Sequence, residues 1–180
     1  MRLLLLFFGL VLVAATSPPD PVVLTPVERA QVSDEQWAQL AASATLREGL
    51  VLDARGIRAA RGYSLLANGA DCSARGVTCA VLQIREPAWE IVIPFASDGG
   101  LGGTRVMATV DRLRLSAPLA AAASRAGVDA LRAGADGWAT APEGVRLATS
   151  EPERADCSVR GAWCGIAGSD GRAVILIGGG

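Results

Sequence analysis

Ala70–Cys79 reads ADCSARGVTC, and Ala155–Cys164 reads ADCSVRGAWC. The two phrases lie 85 residues apart and hold their cysteines at the same spacing. The matching continues outward from them. Val27–Ser33 (VERAQVS) aligns with Val110–Ser116 (VDRLRLS) at an offset of 83, and Leu46–Gly49 (LREG) aligns with Leu131–Gly134 (LRAG) at 85. Three landmarks in one order predict an internal duplication, with two residues inserted in the second copy between Ser116 and Leu131.

Each copy is expected to begin with a β-like segment, Val22–Val32 in the first and Val106–Leu115 in the second. Ser33 then stands in N-cap position with Gln36 three residues on, the two ends of a capping box; Ser116 precedes Pro118 in the equivalent place. Trp37, Leu40, Ala41 and Ala44 recur at the i, i+3, i+4, i+7 spacing of one helical face. Gly49 and Gly134 are expected to end the two helices. The stretch from each helix to its cysteine phrase reads as irregular. Beyond the cysteines, Val77–Arg85 and Trp89–Phe95 flank the turn-prone Glu86-Pro87-Ala88, while Ala162–Gly168 and Arg172–Ile177 flank Ser169-Asp170-Gly171. The fold class that follows is α+β: two tandem homologous repeats, each a strand, a helix and an antiparallel β-meander with one local disulfide. The first repeat covers 16–104 and ends in the Gly-rich linker ASDGGLGGT, which suits a flexible connection; the second covers 105–180.

Arg75-Gly76 and Arg160-Gly161 centre two expected β-turns, each the tip of a hairpin with a cysteine on either side. Cys72 should then face Cys79, and Cys157 should face Cys164. Four cysteines permit three pairings, and the duplication favours pairing within each copy. Closing so short a loop stabilises it by roughly 2–3 kcal/mol. A four-thiolate zinc site competes poorly, because structural zinc pairs usually have about two to four residues between ligands and six intervene here. A redox-active pair would want the tighter Cys-x-x-Cys.

The chain opens MRLLLLFFGLVLVAATSPPDP. One positive charge at Arg2, an apolar run over Leu3–Val13 and the small residues that follow have the order of a secretory signal peptide over 1–15, cut after Ala15. The run is shorter than the about 20 residues a spanning helix needs, so no stable transmembrane segment is expected after cleavage. Such a chain is expected in the periplasm or outside the cell, where disulfides persist.

The formal net charge is −1, every basic residue is arginine, and histidine is absent. Balanced charge gives no field to draw nucleic acid, which is not expected as a partner. Without histidine, a Ser-His-Asp or Cys-His nucleophile cannot be assembled. Imidazole-ligated metals and a histidine pH switch are excluded as well. No cofactor or metal is expected.

Asp71 and Asp156 precede the first cysteine of each pair, with Arg75 and Arg160 four residues on. They could form a paired acid site with arginines clamping an anion; the plainer expectation is that each aspartate accepts backbone N–H bonds at its turn, with a local ion pair to arginine. Arg55, Arg58 and Arg61 form a basic cluster confined to the first copy, able to hold a phosphate or anionic glycan, or to be a solvated face. Trp163, beside Cys164, could line a ligand site with Trp89 and Trp138, or pack on the hairpin.

The function expected is an exported, non-catalytic binding or interaction protein, its partner an envelope or secreted protein. A carboxylate-dependent hydrolase of the cell envelope using Asp71 and Asp156, and a structural component of envelope assembly, are the alternatives.

Overall fold

The computed structural model describes residues 21–42, 48–54, 56–94, 103–126, 131–170 and 172–178. In chain order the first elements are β1 (Val22–Pro26), α1 (Asp34–Ala42), β2 (Leu50–Asp53), β3 (Gly56–Ala59), β4 (Ser64–Ala67), β5 (Cys79–Arg85) and β6 (Ala88–Val92). They are followed by β7 (Thr104–Val110), β8 (Arg112–Arg114), α2 (Ala117–Arg125), β9 (Arg132–Ala133), β10 (Trp138–Thr140), β11 (Arg146–Thr149), β12 (Trp163–Ala167) and β13 (Ala173–Ile177).

Eight strands close a barrel in the order β1-β13-β12-β11-β7-β6-β5-β4, every neighbour antiparallel. Strands from both sides of residue 104 enter the same ring. It is closed by β6 against β7, with Ala88 opposite Ala108, and by β1 against β13, with Val22 opposite Ile177. The barrel strands run four to seven residues, against the about nine to eleven that a membrane-crossing strand needs. No helix among the described residues is long and apolar enough to cross a membrane.

A closed, predominantly β architecture replaces the expected α+β pair of helix-and-meander units. Stretches that read as irregular supply the missing strands: β2, β3 and β4 before the first cysteine phrase, β9, β10 and β11 before the second. The helices are nine residues each. Gly134 does not end α2, which stops at Arg125; it sits in the β9–β10 turn, where its N–H donates to the Trp138 carbonyl. The capping box at α1 is present: Ser33 Oγ accepts the Gln36 N–H at 3.2 Å, and Gln36 Oε1 accepts the Ser33 N–H at 3.2 Å. Ala44, Phe95, the signal stretch, most of the linker and the last two glycines lie outside the described residues.

Three apolar clusters explain the burial pattern. Inside the barrel, Leu24, Leu66, Leu82, Trp89, Ile91, Met107, Trp163 and Ile175 fill the lumen, as expected for eight strands, whose interior is about wide enough for side chains alone. Gly165 makes room for them, since a Cβ there would stand 2.4 Å from the Trp89 ring. Truncating Trp89 to alanine would open a cavity and cost about 3–5 kcal/mol. Outside the barrel, the segment 27–59 packs Ala30, Leu40, Leu50 and Ile57 onto Leu65, Val81 and the first cysteine pair. The segment 113–139 packs Leu113, Leu115, Leu119 and Ala139 onto Leu147, Ile166, Leu176 and the second pair. Strands covered on both faces read as continuous apolar runs, which is why WCGIA and AVILI are buried nearly throughout. On β6 the outward face is covered only toward Val92, and Trp89 and Ile91 alternate with exposed Glu90.

Candidate binding surface

The outer layers leave bare a stretch of the barrel wall across the middle of β5, β6 and β7, between Val81 and Val92, which the first layer covers, and Val110, which the second covers. Alternation along a strand puts Ala80 and Leu82, Trp89 and Ile91, and Met107 inside, so Gln83, Arg85, Glu90 and Val106 point out. Register lays these side chains in a row: Gln83 is opposite Glu90, and Glu90 is opposite Val106. Val106 is 63% exposed, more than any other large apolar side chain among the described residues.

At the β5 margin the face sinks into a cleft of about 90 Å3 lined by Glu48, Gly49, Tyr63, Val81, Gln83, Arg85, Glu90 and Val92. Gly49 lets the chain pass closely there: a Cβ would meet Val81 at 2.9 Å and the Tyr63 ring at 3.1 Å. Two carboxylates, a guanidinium, an amide and a phenol therefore border one shallow site.

At the β7 margin the sheet is open. The Ile93 N–H donates to the Gly103 carbonyl at 2.9 Å and the Thr109 N–H to the Pro87 carbonyl at 3.0 Å. In an antiparallel ladder alternate residues bond to the same neighbour. Gly103, Arg105, Met107 and Thr109 therefore address β6, while Thr104, Val106, Ala108 and Val110 turn their N–H and C=O groups the other way. There β11 meets only the last two, with Thr149 opposite Ala108 and Leu147 opposite Val110. After Thr149 the chain leaves the ladder: the Ser150 N–H donates to the Trp163 carbonyl, and Ala155 closes a turn onto Glu151. No backbone partner meets Thr104 or Val106 on this side among the described residues. Arg105, between them, lays its guanidinium over the Trp163 ring at 5.6 Å and forms no ion pair among the described residues.

The residues singled out by sequence lie elsewhere. Both expected disulfides are present, Cys72–Cys79 and Cys157–Cys164. Their turns are not hairpin tips, however. Cys72 is bound to a distant segment ahead of α1, its N–H donating to the Gln31 carbonyl at 2.9 Å, while the Gln31 N–H donates to the Ala70 carbonyl at 2.8 Å. In the second turn Arg114 takes the part of Gln31, accepting from Cys157 at 2.9 Å and donating to Ala155 at 2.7 Å.

Each aspartate is committed to its own turn. Asp71 Oδ1 accepts the Ser73 hydroxyl at 2.6 Å and the Ser73 N–H at 2.9 Å; Asp156 Oδ1 accepts the same groups of Ser158 at 2.5 and 2.9 Å. The Ser73 hydroxyl, then its N–H, hold the Asp71 carboxyl below its ordinary value against slight desolvation. At Asp156 burial pulls upward as the largest single influence, but the two Ser158 bonds with Arg114 and Arg154 together bring the carboxyl down. The ion-pair partner of Asp156 is Arg114, at 3.8 Å, and not Arg160. Arg75 and Arg160 are exposed on their turns without an ion pair among the described residues. Arg58 is exposed opposite Val51 and Arg61 is exposed before β4, while Arg55 lies outside the described residues. Trp163 is 6% exposed, its ring in the lumen cluster. Trp89 fills the lumen too, whereas Trp138 packs on the second outer layer under Arg112.

Sequence reading passed over Val106, Glu90 and Tyr63. Their one signal was the charged alternation around Trp89 and Ile91, which marks β6 as a strand with one wet face. Comparison with known proteins finds no matching family model, no matching curated protein and no matching solved structure.

Proposed function

We propose that the chain is an exported, non-catalytic binding protein of the periplasm or cell exterior, and that the outward face of β5, β6 and β7 is where it meets a protein partner. One observation carries this reading: among the described residues, the most exposed large apolar side chain, Val106, sits on a strand edge without a backbone partner. Exposed apolar groups beside unpaired strand edges are what interaction surfaces offer and what isolated proteins avoid. Export is supported by the order of residues 1–15 and agrees with the two disulfides, which persist in oxidising compartments. The matched bonds around the two cysteine turns support reading the chain as a duplicated unit. Hydrolysis by Asp71 and Asp156 draws less support, because each carboxylate already serves its own turn and is held ionised.

The test is capture from envelope extract by the oxidised chain, with Glu90→Arg and Val106→Asp variants beside it. A stoichiometric protein retained by the parent and lost from both variants is the expected result. Retention that ignores both substitutions would overturn the assignment of this face.

A further inference from the structure

We infer that the open edge of β7 takes up an extended segment of a separate protein as an added strand, and that this segment carries an acidic residue opposite Arg105. Strand addition rests on the binding face proposed above and names its mode and the chemistry of its partner. Thr104 and Val106 together present two N–H donors and two C=O acceptors, all pointing away from β6 and beyond the end of the β11 ladder. A peptide backbone laid along the edge satisfies all four, which is how sheet augmentation gains affinity, while pockets for alternate side chains give selectivity.

Register then sets the side chains. An antiparallel strand that bonds to Thr104 and Val106 places its intervening residue opposite Arg105 in a non-hydrogen-bonded pair, where facing side chains come closest. Arg105 has no carboxylate partner among the described residues, and its stacking on Trp163 at 5.6 Å holds the guanidinium in place. A carboxylate at that position completes an ion pair. The residue opposite Val106 faces outward, where a β-branched or other apolar side chain covers exposed methyl groups. The nearby Glu151–Arg154 turn carries charges of both signs, so selection for an acid comes from the position opposite Arg105 and not from a general field. The same geometry disfavours a second copy of this chain as occupant. Pairing two β7 edges through all four groups would set Arg105 opposite Arg105, and directly opposed like charges destabilise a sheet.

The experiment is selection of a displayed random heptapeptide library on the oxidised full chain, followed by affinity measurement on three variants. Val106→Pro deletes the outward N–H, which no barrel strand uses among the described residues, the kind of strand position where proline is tolerated; the melting temperature should hardly move. Peptides bearing Asp or Glu between apolar residues should be enriched, and Val106→Pro should weaken them by about tenfold or more. Arg105→Glu should shift the preference toward Lys or Arg. Arg105→Lys should keep the acidic preference. On binding, the Thr104 and Val106 amides should become protected from hydrogen exchange, whereas those of Arg105 and Met107 are protected beforehand. Enriched peptides that bind Val106→Pro unchanged would overturn strand addition and leave the binding face standing. An absence of enrichment would overturn it too, with capture from extract deciding separately whether the face binds a protein at all.

Discussion

The turns at 71–79 and 156–164 share their internal bonds but are tied to the rest of the chain by different residues. In the first, Asn68 donates its N–H to the Thr78 carbonyl, accepts the Thr78 N–H on Oδ1 at 2.7 Å and donates from Nδ2 to the Gly76 carbonyl at 3.2 Å. In the second, Ser150 makes the first two bonds, to Trp163, with its hydroxyl accepting at 3.0 Å. Its side chain is too short for the third. There Gly178 of β13's end takes over, accepting the Gly161 N–H at 3.0 Å and donating to Ala162 at 2.9 Å. Beyond the bonds they share, the first turn is thus tied by the exposed Asn68 side chain and the second by the backbone of Gly178, just past β13. The local phrase alone does not decide how firmly a turn is held; the neighbouring chain does.

Removing the disulfides tests that difference most strongly. Both bridges join residues seven apart, so each should lose about 2.5 kcal/mol of chain-entropy stabilisation when both its cysteines become alanine. Cys157 and Cys164 are 0% exposed, Cys72 and Cys79 6% and 4%. The second pair should therefore cost an additional ~1 kcal/mol for the cavity it leaves, read from urea midpoints. Equal losses would mean that burial does not separate the turns. Next in size is Gly178→Ala, whose Cβ would stand 2.4 Å from the Val159 carbonyl oxygen and 2.6 Å from that of Cys157. Backbone atoms cannot step aside, and a loss of about 1–3 kcal/mol is expected in thermal melts. Asn68→Ala and Ser150→Ala should each cost about 1 kcal/mol. Hydrogen exchange should show the first loosening residues 74–78 and the second leaving Gly161 protected by Gly178.

Acid should separate the turns least. Both aspartates have folded pKa values below the ordinary 3.8. The stability they contribute is therefore complete above that value and is lost as pH falls through the lower folded value. Asp71→Asn and Asp156→Asn should each flatten the acid limb of a melting-temperature profile. At Asp156 burial opposes the serine bonds, Arg114 and Arg154, whereas at Asp71 the serine bonds meet little opposition.

What the residues disclosed depended on how local the cause was. The cysteine pairings, the capping box at Ser33 and the runs that form β5, β6, β12 and β13 rest on neighbours in sequence, and they are where the chain implied. The strands over Ser64–Ala67 and Arg146–Thr149 are four residues each, too short to show a period of two, and both are rich in small or apolar residues on either face. Barrel closure is the least local feature, since it joins Val22 to Ile177 and Ala88 to Ala108. Without closure in view, the same runs fit two separate meanders, and helices were needed to cover them. Val106 was legible as a strand residue but not as a site, because its exposure follows from the point at which β11 turns away.

The pairing of β1 with β13 also sets an order in time. On a chain made N-terminus first, Val22–Pro26 emerges long before its partner Ala173–Ile177. Until then β1 and β12 each wait with a bare edge, the state in which strands are most exposed to proteases and to mispairing. Loss of β13 would therefore leave the whole ring unsealed, and such a chain would be cleared by quality control even though every residue on the outward side of β5, β6 and β7 were intact.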